Sequence, residues 1–373
     1  MYFEIPRKEL LPSLKMITSV VEMRQTLPIL GNVLVQVENA TLKLTATDAE
    51  VEIACTLPLE GSLDDSNTGE TTIPARKLFD ICRSLSDNTP IQISNQDVEE
   101  RAVVRSGKSR FTLSCLPASD FPSRQAIEGV YRFKFSQRTL KELFARTQFA
   151  MAQQDVRYYL NGICLDLNNG RLSVVATDGH RLAMGSEPFD LEGHEPIQVI
   201  IPRKAVTELT RMLDGADSEV EIALDEHHIQ VTLSQSLSLS SKLIDGRFPD
   251  YLSVIPHRTE RTAVIAADAL KQALSRVAIL SNEKYKGVRL SLSDNLLKVT
   301  ARNPEQEEAE EELEIVYEGE AFEIGFNVNY LLDVLSVINA KEVDLRFNDP
   351  NSSCLITPHD VESVQYVIMP MRL

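Results

Sequence analysis

The stretch LSVVATDGHRLA, Leu172 to Ala183, alternates apolar and polar residues up to a polar turn at Asp178 and Gly179. The same pattern stands in LKLTATDAEVEIA, Leu42 to Ala54, and in LKVTARNPEQEEAEEEL, Leu297 to Leu313, so that Asp48, Asp178 and Asn303 are 130 and 125 residues apart. Self-similarity at a long, regular period means that one structural unit is used three times. A second motif keeps the step: IPARKLFDICRSL from Ile73 and IPRKAVTELTRML from Ile201 are 128 residues apart, and FNVNYLLDVLSVI from Phe326 is a diverged third copy. Phe121 and Pro122 recur in FPDY, Phe248 to Tyr251, and Met369 with Pro370 closes the series. Three domains are expected, at 1–127, 128–255 and 256–373.

Each copy holds two segments of helical period, at 7–24 and 74–85, 136–148 and 202–213, and 268–280 and 327–338. The remainder alternates at period two with Asn, Asp or Gly at the turns, as strands do. The fold class expected is α+β, with two helices on antiparallel sheet in every copy. Pro12 falls inside the first helical segment and could kink it, because it lacks an N–H and crowds the preceding turn.

With 43% hydrophobic and 25% charged residues over 373 positions, the composition is that of a globular protein. No apolar run is long enough for a membrane span, and the N-terminus MYFEIPRKELL lacks the apolar core of a secretory signal. A cytoplasmic location is expected. The five cysteines are odd in number and widely spaced, which suits reduced core thiols. His227 and His228 are adjacent and would point to opposite faces of a strand, a poor chelate.

The net charge of −17 argues at first against a nucleic-acid partner. Its distribution argues otherwise: the six helical segments hold 15 Lys/Arg and 7 Asp/Glu, a net of +8, leaving −25 for the rest. Helices gathered on one concave side would present a basic surface on an otherwise acidic protein, which suits enclosing a duplex. Amphipathic surface helices that simply favour Lys and Arg would give the same count.

Six strings carry a resemblance: VRYYLNG at 156–162, ATDGHRLA at 176–183, DGRFPDY at 245–251, SNEKYKGVRL at 281–290, NPEQEEAEEEL at 303–313 and the terminal VIMPMRL. Together they resemble the bacterial sliding-clamp family, the beta subunit of DNA polymerase III, across all three copies. The resemblance implies a non-catalytic processivity factor: two subunits head to tail in a six-domain ring, helices inside, sheets outside, sliding on double-stranded DNA without reading sequence. It implies DNA contacts at Arg24, Gln154, Tyr158 and Tyr159 and on the inner helices at Arg76, Lys77, Arg83, Arg203, Lys204 and Arg211. The competing reading of Tyr158 and Tyr159 is ordinary strand or core aromatics.

Glu305, Glu307, Glu308, Glu310 and Glu311 belong to the acidic run EQEEAEEE, and Arg101, Arg105, Lys108 and Arg110 to a basic stretch of the first copy. Opposite charges at the two ends suit a head-to-tail joint that closes into a ring, although the run could also be a solvated edge that discourages pairing. The resemblance adds Lys77, Phe111, Leu113, Ile279 and Leu280 to this joint. Gly107, Lys108 and Ser109 mimic the end of a P-loop, but strand-like FTLSCL follows where a helix is required.

The methionines of VIMPMRL are flexible and polarisable, as suits a surface that accepts many peptides. The resemblance implies a pocket for short linear motifs of the polymerase III alpha subunit, the clamp loader, other polymerases and repair proteins. Its matching positions are Leu160, Thr177, Gly179, His180, Arg181, Leu182, Pro249, Val254, Tyr285, Asn327, Tyr330, Ser353, Val367, Ile368, Met369, Pro370, Met371, Arg372 and Leu373. Ser253 stands where the family carries Arg and Asn351 where it carries an aliphatic residue, which bears on peptide preference. No cofactor, metal or catalytic residue is expected. Two competing readings are a metal-dependent nuclease using the 305–312 carboxylates and a repeat scaffold that never touches DNA.

Overall fold

The computed structural model describes residues 1–22, 27–60, 67–95, 100–122, 127, 131–189, 195–256 and 258–372. Six helices are described, α1 Arg7–Ile17, α2 Ala75–Ser84, α3 Gln137–Thr147, α4 Arg203–Met212, α5 Ala267–Val277 and α6 Val328–Val337. Five of them fall where the helical period put them. The first helix stops at Ile17, earlier than expected, and its last carbonyls take local hydroxyls as well as amides: Thr18 N and Oγ1 donate to Leu14 O at 3.0 and 2.7 Å, and Ser19 N and Oγ to Met16 O at 3.3 and 2.7 Å. Val20 and Val21 then turn inward and are buried. Pro12 lies inside α1 without ending it, and both it and Lys8, whose carbonyl loses its partner, are exposed.

The chain forms two compact units, one of residues 1–141 with 204–243, the other of 142–203 with 244–373. In the first unit an eight-stranded antiparallel sheet runs in the order Gly69–Pro74, Asn32–Glu38, Thr41–Thr47, Val51–Pro58, Leu237–Lys242, His228–Ser234, Glu219–Leu224, Tyr131–Ser136. It is two four-stranded halves, one from each of two repeats, sewn together where Val51–Pro58 pairs with Leu237–Lys242. The second unit repeats the plan: Ile197–Pro202, Gly162–Asn168, Arg171–Thr177, Arg181–Pro188, Val364–Ile368, Cys354–Pro358, Glu342–Phe347, Arg261–Ala266, with the seam at Arg181–Pro188 and Val364–Ile368. Each unit also carries a four-stranded sheet: Tyr2–Ile5, Ile91–Ser94, Arg101–Ser106, Ser109–Ser114 in the first, and Glu308–Glu314, Leu296–Arg302, Gly287–Ser293, Phe322–Asn327 in the second.

Strand alternation sends one face of each sheet against the helices. Leu10, Leu14 and Ile17 of α1 and Leu78 and Cys82 of α2 are buried, as are Leu270, Leu274 and Val277 of α5 and Leu331 and Val334 of α6. Each such side chain stabilises the fold by roughly 1.5–3 kcal/mol relative to exposure. All five cysteines are free and buried, and desolvation pushes the Cys82 thiol up to about 12. Gly107 takes φ +54 in the tight turn between Arg101–Ser106 and Ser109–Ser114, so a strand follows the Gly-Lys-Ser string.

The polar turn is the element that the repeats share most closely. Asp48 Oδ1 accepts the amides of Glu50 and Val51 at 2.8 and 2.7 Å, and Asp178 Oδ1 those of His180 and Arg181 at 2.9 and 3.0 Å. In the third copy Asn303 Oδ1 accepts Glu307 N at 2.9 Å, one residue further along. Val51, Arg181 and Glu307 are therefore equivalent positions.

Candidate docking pocket and nucleic-acid surface

The second unit contains an apolar cavity of about 200 Å³ lined by Arg157, Tyr159, Leu160, Thr177, Gly179, Arg181, Leu182, Pro249, Tyr251, Val254, Val367 and Met369. Its floor is the seam itself, for Leu182 and Val367 are cross-strand partners and both are buried. The connector after Ile244 covers the same sheet face, packing Phe248, Tyr251 and Ile255 on Leu182, Leu355 and Val367. Tyr251 is fixed by donating its hydroxyl to Asp166 at 2.9 Å, and desolvation with the adjacent carboxylate raises its pKa. The C-terminal strand exits over the cavity: Met369 N donates to His180 O and Met371 N to Gly325 O, both at 2.9 Å.

Two arginines frame the cavity. The Arg181 side chain is only 11% exposed, bonded to Asp178 and Asp333, donating to Phe149 O at 2.8 Å and lying 4.6 Å from the Tyr330 ring centre. It acts as a fixed wall. Arg157 is open to solvent and grips Asp155 at 3.0 and 2.9 Å, with a further bond to Asp178 O at 3.1 Å. The Arg157 hydrogen bonds hold the Asp155 carboxyl down at about 2.

Of the expected pocket residues, Leu160, Thr177, Gly179, Arg181, Leu182, Pro249, Val254, Val367 and Met369 come together here. His180 stacks on Tyr330 with ring centres 6.5 Å apart, and Asn327 caps α6 by accepting from Asn329 N at 2.9 Å. Ile368 is wholly buried, Ser353 and Pro370 are half-buried, and Leu373 lies outside the described residues. Tyr285, Met371 and Arg372 line a different hollow of about 710 Å³, whose ion pairs include Arg289 with Glu323 at 2.9 Å and Lys298 with Glu310 at 2.8 Å. Arg157 and Tyr251 were missed, and Tyr159, expected at DNA, stands in the cavity wall. VRYYLNG and DGRFPDY contain all three, but nothing in either string says which face each side chain takes.

The family-model match settles affiliation. Residues 1–125, 134–250 and 252–372 match the N-terminal, central and C-terminal domain models of the DNA polymerase III beta subunit. The chain is 51% identical to the beta sliding clamp of Pseudomonas aeruginosa and 47% identical to that of Escherichia coli, over the full length of each. A crystal structure of the Pseudomonas aeruginosa beta subunit superposes with a TM-score of 0.95 at 50% identity, covering all of both chains. The chain belongs to the DNA polymerase III beta subunit family.

The basic residues expected of a sliding clamp divide by their local bonds. Lys77, Arg83 and Arg211 are exposed; Arg83 lies over the Phe79 ring and pairs with Asp80 at 3.0 Å, and Arg211 pairs with Glu208 at 3.0 Å. With Lys15 and Arg76, Arg83 lines a groove between α1 and α2 of about 470 Å³, and Arg76 also donates to Val21 O at 2.7 Å. Gln154 and Tyr158 are exposed. Arg203 donates to the Met151 carbonyl at 3.1 Å, and Lys204 is taken by Glu22 at 2.7 Å and by Asp48. Arg24 lies outside the described residues. Arg7, part of the helical charge count, instead caps α2 by donating to Cys82 O at 2.8 Å and Arg83 O at 2.9 Å.

Alternation splits the acidic run between two faces. Glu310 reaches Lys298 at 2.8 Å, whereas Glu311 on the helix side makes a two-pronged pair with Arg276 at 2.6 and 2.9 Å. Among the described residues no three His, Cys, Asp or Glu side chains gather as a metal site.

Gly179 and Arg157 supply a test of how the cavity mouth is held. A Cβ at Gly179 would meet Arg157 Nη1 at 2.8 Å. Its φ of +86° is a backbone conformation that L side chains rarely adopt, and the guanidinium that the Cβ would meet is the far end of a flexible, exposed side chain. Gly179→Ala is expected to cost about 1 kcal/mol, nearly all of it retained when Gly179→Ala with Arg157→Ala is compared with Arg157→Ala alone. Denaturant unfolding measures all three, and loss of most of the cost in the Arg157→Ala background would place it in the side-chain contact instead.

Proposed function

We propose that two copies close head to tail into a ring of six domains, with domain ends near 127, 255 and 373, that encircles duplex DNA. As a sliding clamp the protein is a non-catalytic processivity factor. It tethers the polymerase III alpha subunit, the clamp loader and other polymerases and repair proteins that carry clamp-binding motifs. The cytoplasm, where bacterial DNA is replicated, is the expected location. No described helix is long and apolar enough to cross a membrane.

One observation carries this reading. Each seam joins the strand after a polar turn to the last strand of the next repeat, placing Leu239 opposite Ile53 in one and Tyr366 opposite Ala183 in the other. Among the described residues, the equivalent strands without such a partner are Glu308–Glu314 and Ser109–Ser114. Following the repeat register through both sheets, Phe111 takes the place of Leu239 and Tyr366, and Ala309 that of Ile53 and Ala183. A third seam of the same kind between two copies would set Phe111 opposite Ala309, Thr112 opposite Glu308 and Arg110 opposite Glu310. An exposed edge strand is a template for pairing, and heterologous pairing of this kind closes when the rotation per domain is right.

Inside the ring, Arg24, Arg83 and Arg211 would meet phosphates without reading bases, so binding would be salt-sensitive and sequence-blind. Changing the three to Ala should lower the slope of log affinity against log salt by about 1 per lost contact. Solution mass should stay that of a dimer, and an unaltered slope in a dimeric variant would remove these residues from the DNA-facing set.

The register makes a covalent prediction at the joint. Thr112→Cys with Glu308→Cys in one chain should oxidise to a disulfide-linked species, read on non-reducing gels, while the five buried native thiols stay silent. Arg110→Glu alone should weaken association and Glu310→Lys in the same chain should restore part of it. Absence of both cross-link and rescue would refute this pairing.

For the pocket, changing Met369, Met371 and Leu373 to Ala should abolish docking of a polymerase motif peptide while dimer mass and DNA encirclement persist. Anchors at a binding hot spot cost more than about 1 kcal/mol each. Wild-type peptide affinity in a stable, dimeric variant would mean that docking occurs elsewhere.

A further inference from the structure

In each repeat the segment after the last strand bonds to the fourth residue of an earlier strand. Leu116 bridges Thr72, while Ile244 N donates to Ile200 O and Met371 N to Gly325 O, both at 2.9 Å. After Leu116 the connector packs Phe121 against Ile29, Leu30 and Leu34, and after Ile244 it packs Phe248, Tyr251 and Ile255 over Cys164, Val175, Met184 and Ile200. That covered row, Ile200, Cys164, Val175 and Met184, becomes Gly325, Arg289, Thr300 and Glu310 in the third repeat. Beside it, Thr177 and Leu182 of the cavity correspond to Arg302 and Glu308. Arg289, Thr300, Arg302, Glu308 and Glu310 all line the hollow of about 710 Å³, to which the tail contributes Met371 and Arg372. The hollow is thus the charged counterpart of the apolar cavity. Arg289 and Lys298 are taken by Glu323 and Glu310 at 2.9 and 2.8 Å. Among the described residues the exposed side chains of Arg302 and Arg372 make no hydrogen bond or ion pair, although Glu308 stands across the ladder from Arg302.

Building on the docking reading above, we propose that this hollow seats an acidic segment flanking the docked motif of a partner protein, with Arg302 and Arg372 as its contacts. Cavity and hollow are continuous along the tail: Met369 lines the first and Met371 the second, at most about 7 Å apart along the chain. A peptide leaving the cavity beside Met369 reaches the free guanidiniums within about three further residues. A carboxylate takes a guanidinium through two parallel bonds, and neither arginine gives up an internal partner to make them. A basic segment would meet these two cations, while Glu310 and Glu323 already hold theirs. An apolar segment would cover charged groups without pairing them, which is unfavourable.

The test uses the full-length chain and a polymerase motif peptide, bare or extended at either end by a run of glutamates or of lysines, with affinity read by fluorescence anisotropy. One of the glutamate extensions should tighten binding about fivefold, a gain that fades as salt rises. Arg302→Glu should erase that gain and Arg302→Gln most of it, while affinity for the bare motif, solution mass and thermal stability stay unaltered. No gain from either glutamate extension, a larger gain from lysines, or a gain indifferent to Arg302 overturns the seat and leaves the cavity reading intact. A bare motif that fails to bind the unaltered chain overturns the cavity reading and this inference together.

Discussion

A strand at the border of a sheet presents a row of unpaired N–H and C=O groups, and the architecture follows from how this chain disposes of them. Twice the border strand after a polar turn is consumed by the last strand of the following repeat, giving two eight-stranded sheets. Among the described residues the third strand of that kind, Glu308–Glu314, and its counterpart Ser109–Ser114 have no such partner. Both are copies of strands that pair with each other in the two closed seams.

The polar turn at the head of each seam strand does more than reverse the chain. Its Asp or Asn accepts an amide from the residue at or just before the start of the seam strand, Val51, Arg181 or Glu307. With valine there the seam is closed around it by other groups: Lys204 on the turn carboxylate, Ser19 on Glu208. With arginine the residue becomes a hub for Asp178, Asp333, Tyr330 and the Phe149 carbonyl, and doubles as a wall of the peptide cavity. The cavity is thus a by-product of a well-braced seam roofed by the connector from Ile244 to Ile255. Its apolar floor is Leu182 and Val367, buried sheet residues on which the connector packs Phe248, Tyr251 and Ile255.

Much of this was legible in the sequence because it is periodic. Helical and strand periods located α2 to α6 to within a few residues, and the repeated strings located the turns. The end of α1 was not legible, since the helical period runs on past Ile17 whereas the chain turns at Thr18 and Ser19 and buries Val20 and Val21 outside the helix. Nor were the partners of long cationic side chains, which the fold brings from far along the chain: Arg7 reaches across to α2 and Lys204 to Glu22 and Asp48. Tyr158 and Tyr159 are neighbours in one short loop, yet the first is exposed and the second packs on the cavity cluster. One residue of offset decided that, and no pattern in VRYYLNG encodes it.

The corrected charge map bears on sliding. Counting cations on helices overstates what is free to meet DNA, because Arg7, Arg203 and Lys204 are spent on backbone carbonyls and carboxylates within the fold. Several of the cations that stay exposed hold weak local pairs, such as Arg83 with Asp80 and Arg211 with Glu208. A cation that already holds a weak ion pair gives up that pair to take a phosphate, so each contact contributes less than a bare arginine would. For a protein that must travel along a duplex this is an advantage: many shallow, exchangeable contacts keep the lattice of phosphates within reach without fixing any register. Encirclement then supplies retention, and the overall charge of −17 keeps the outer surface from competing for the same polyanion.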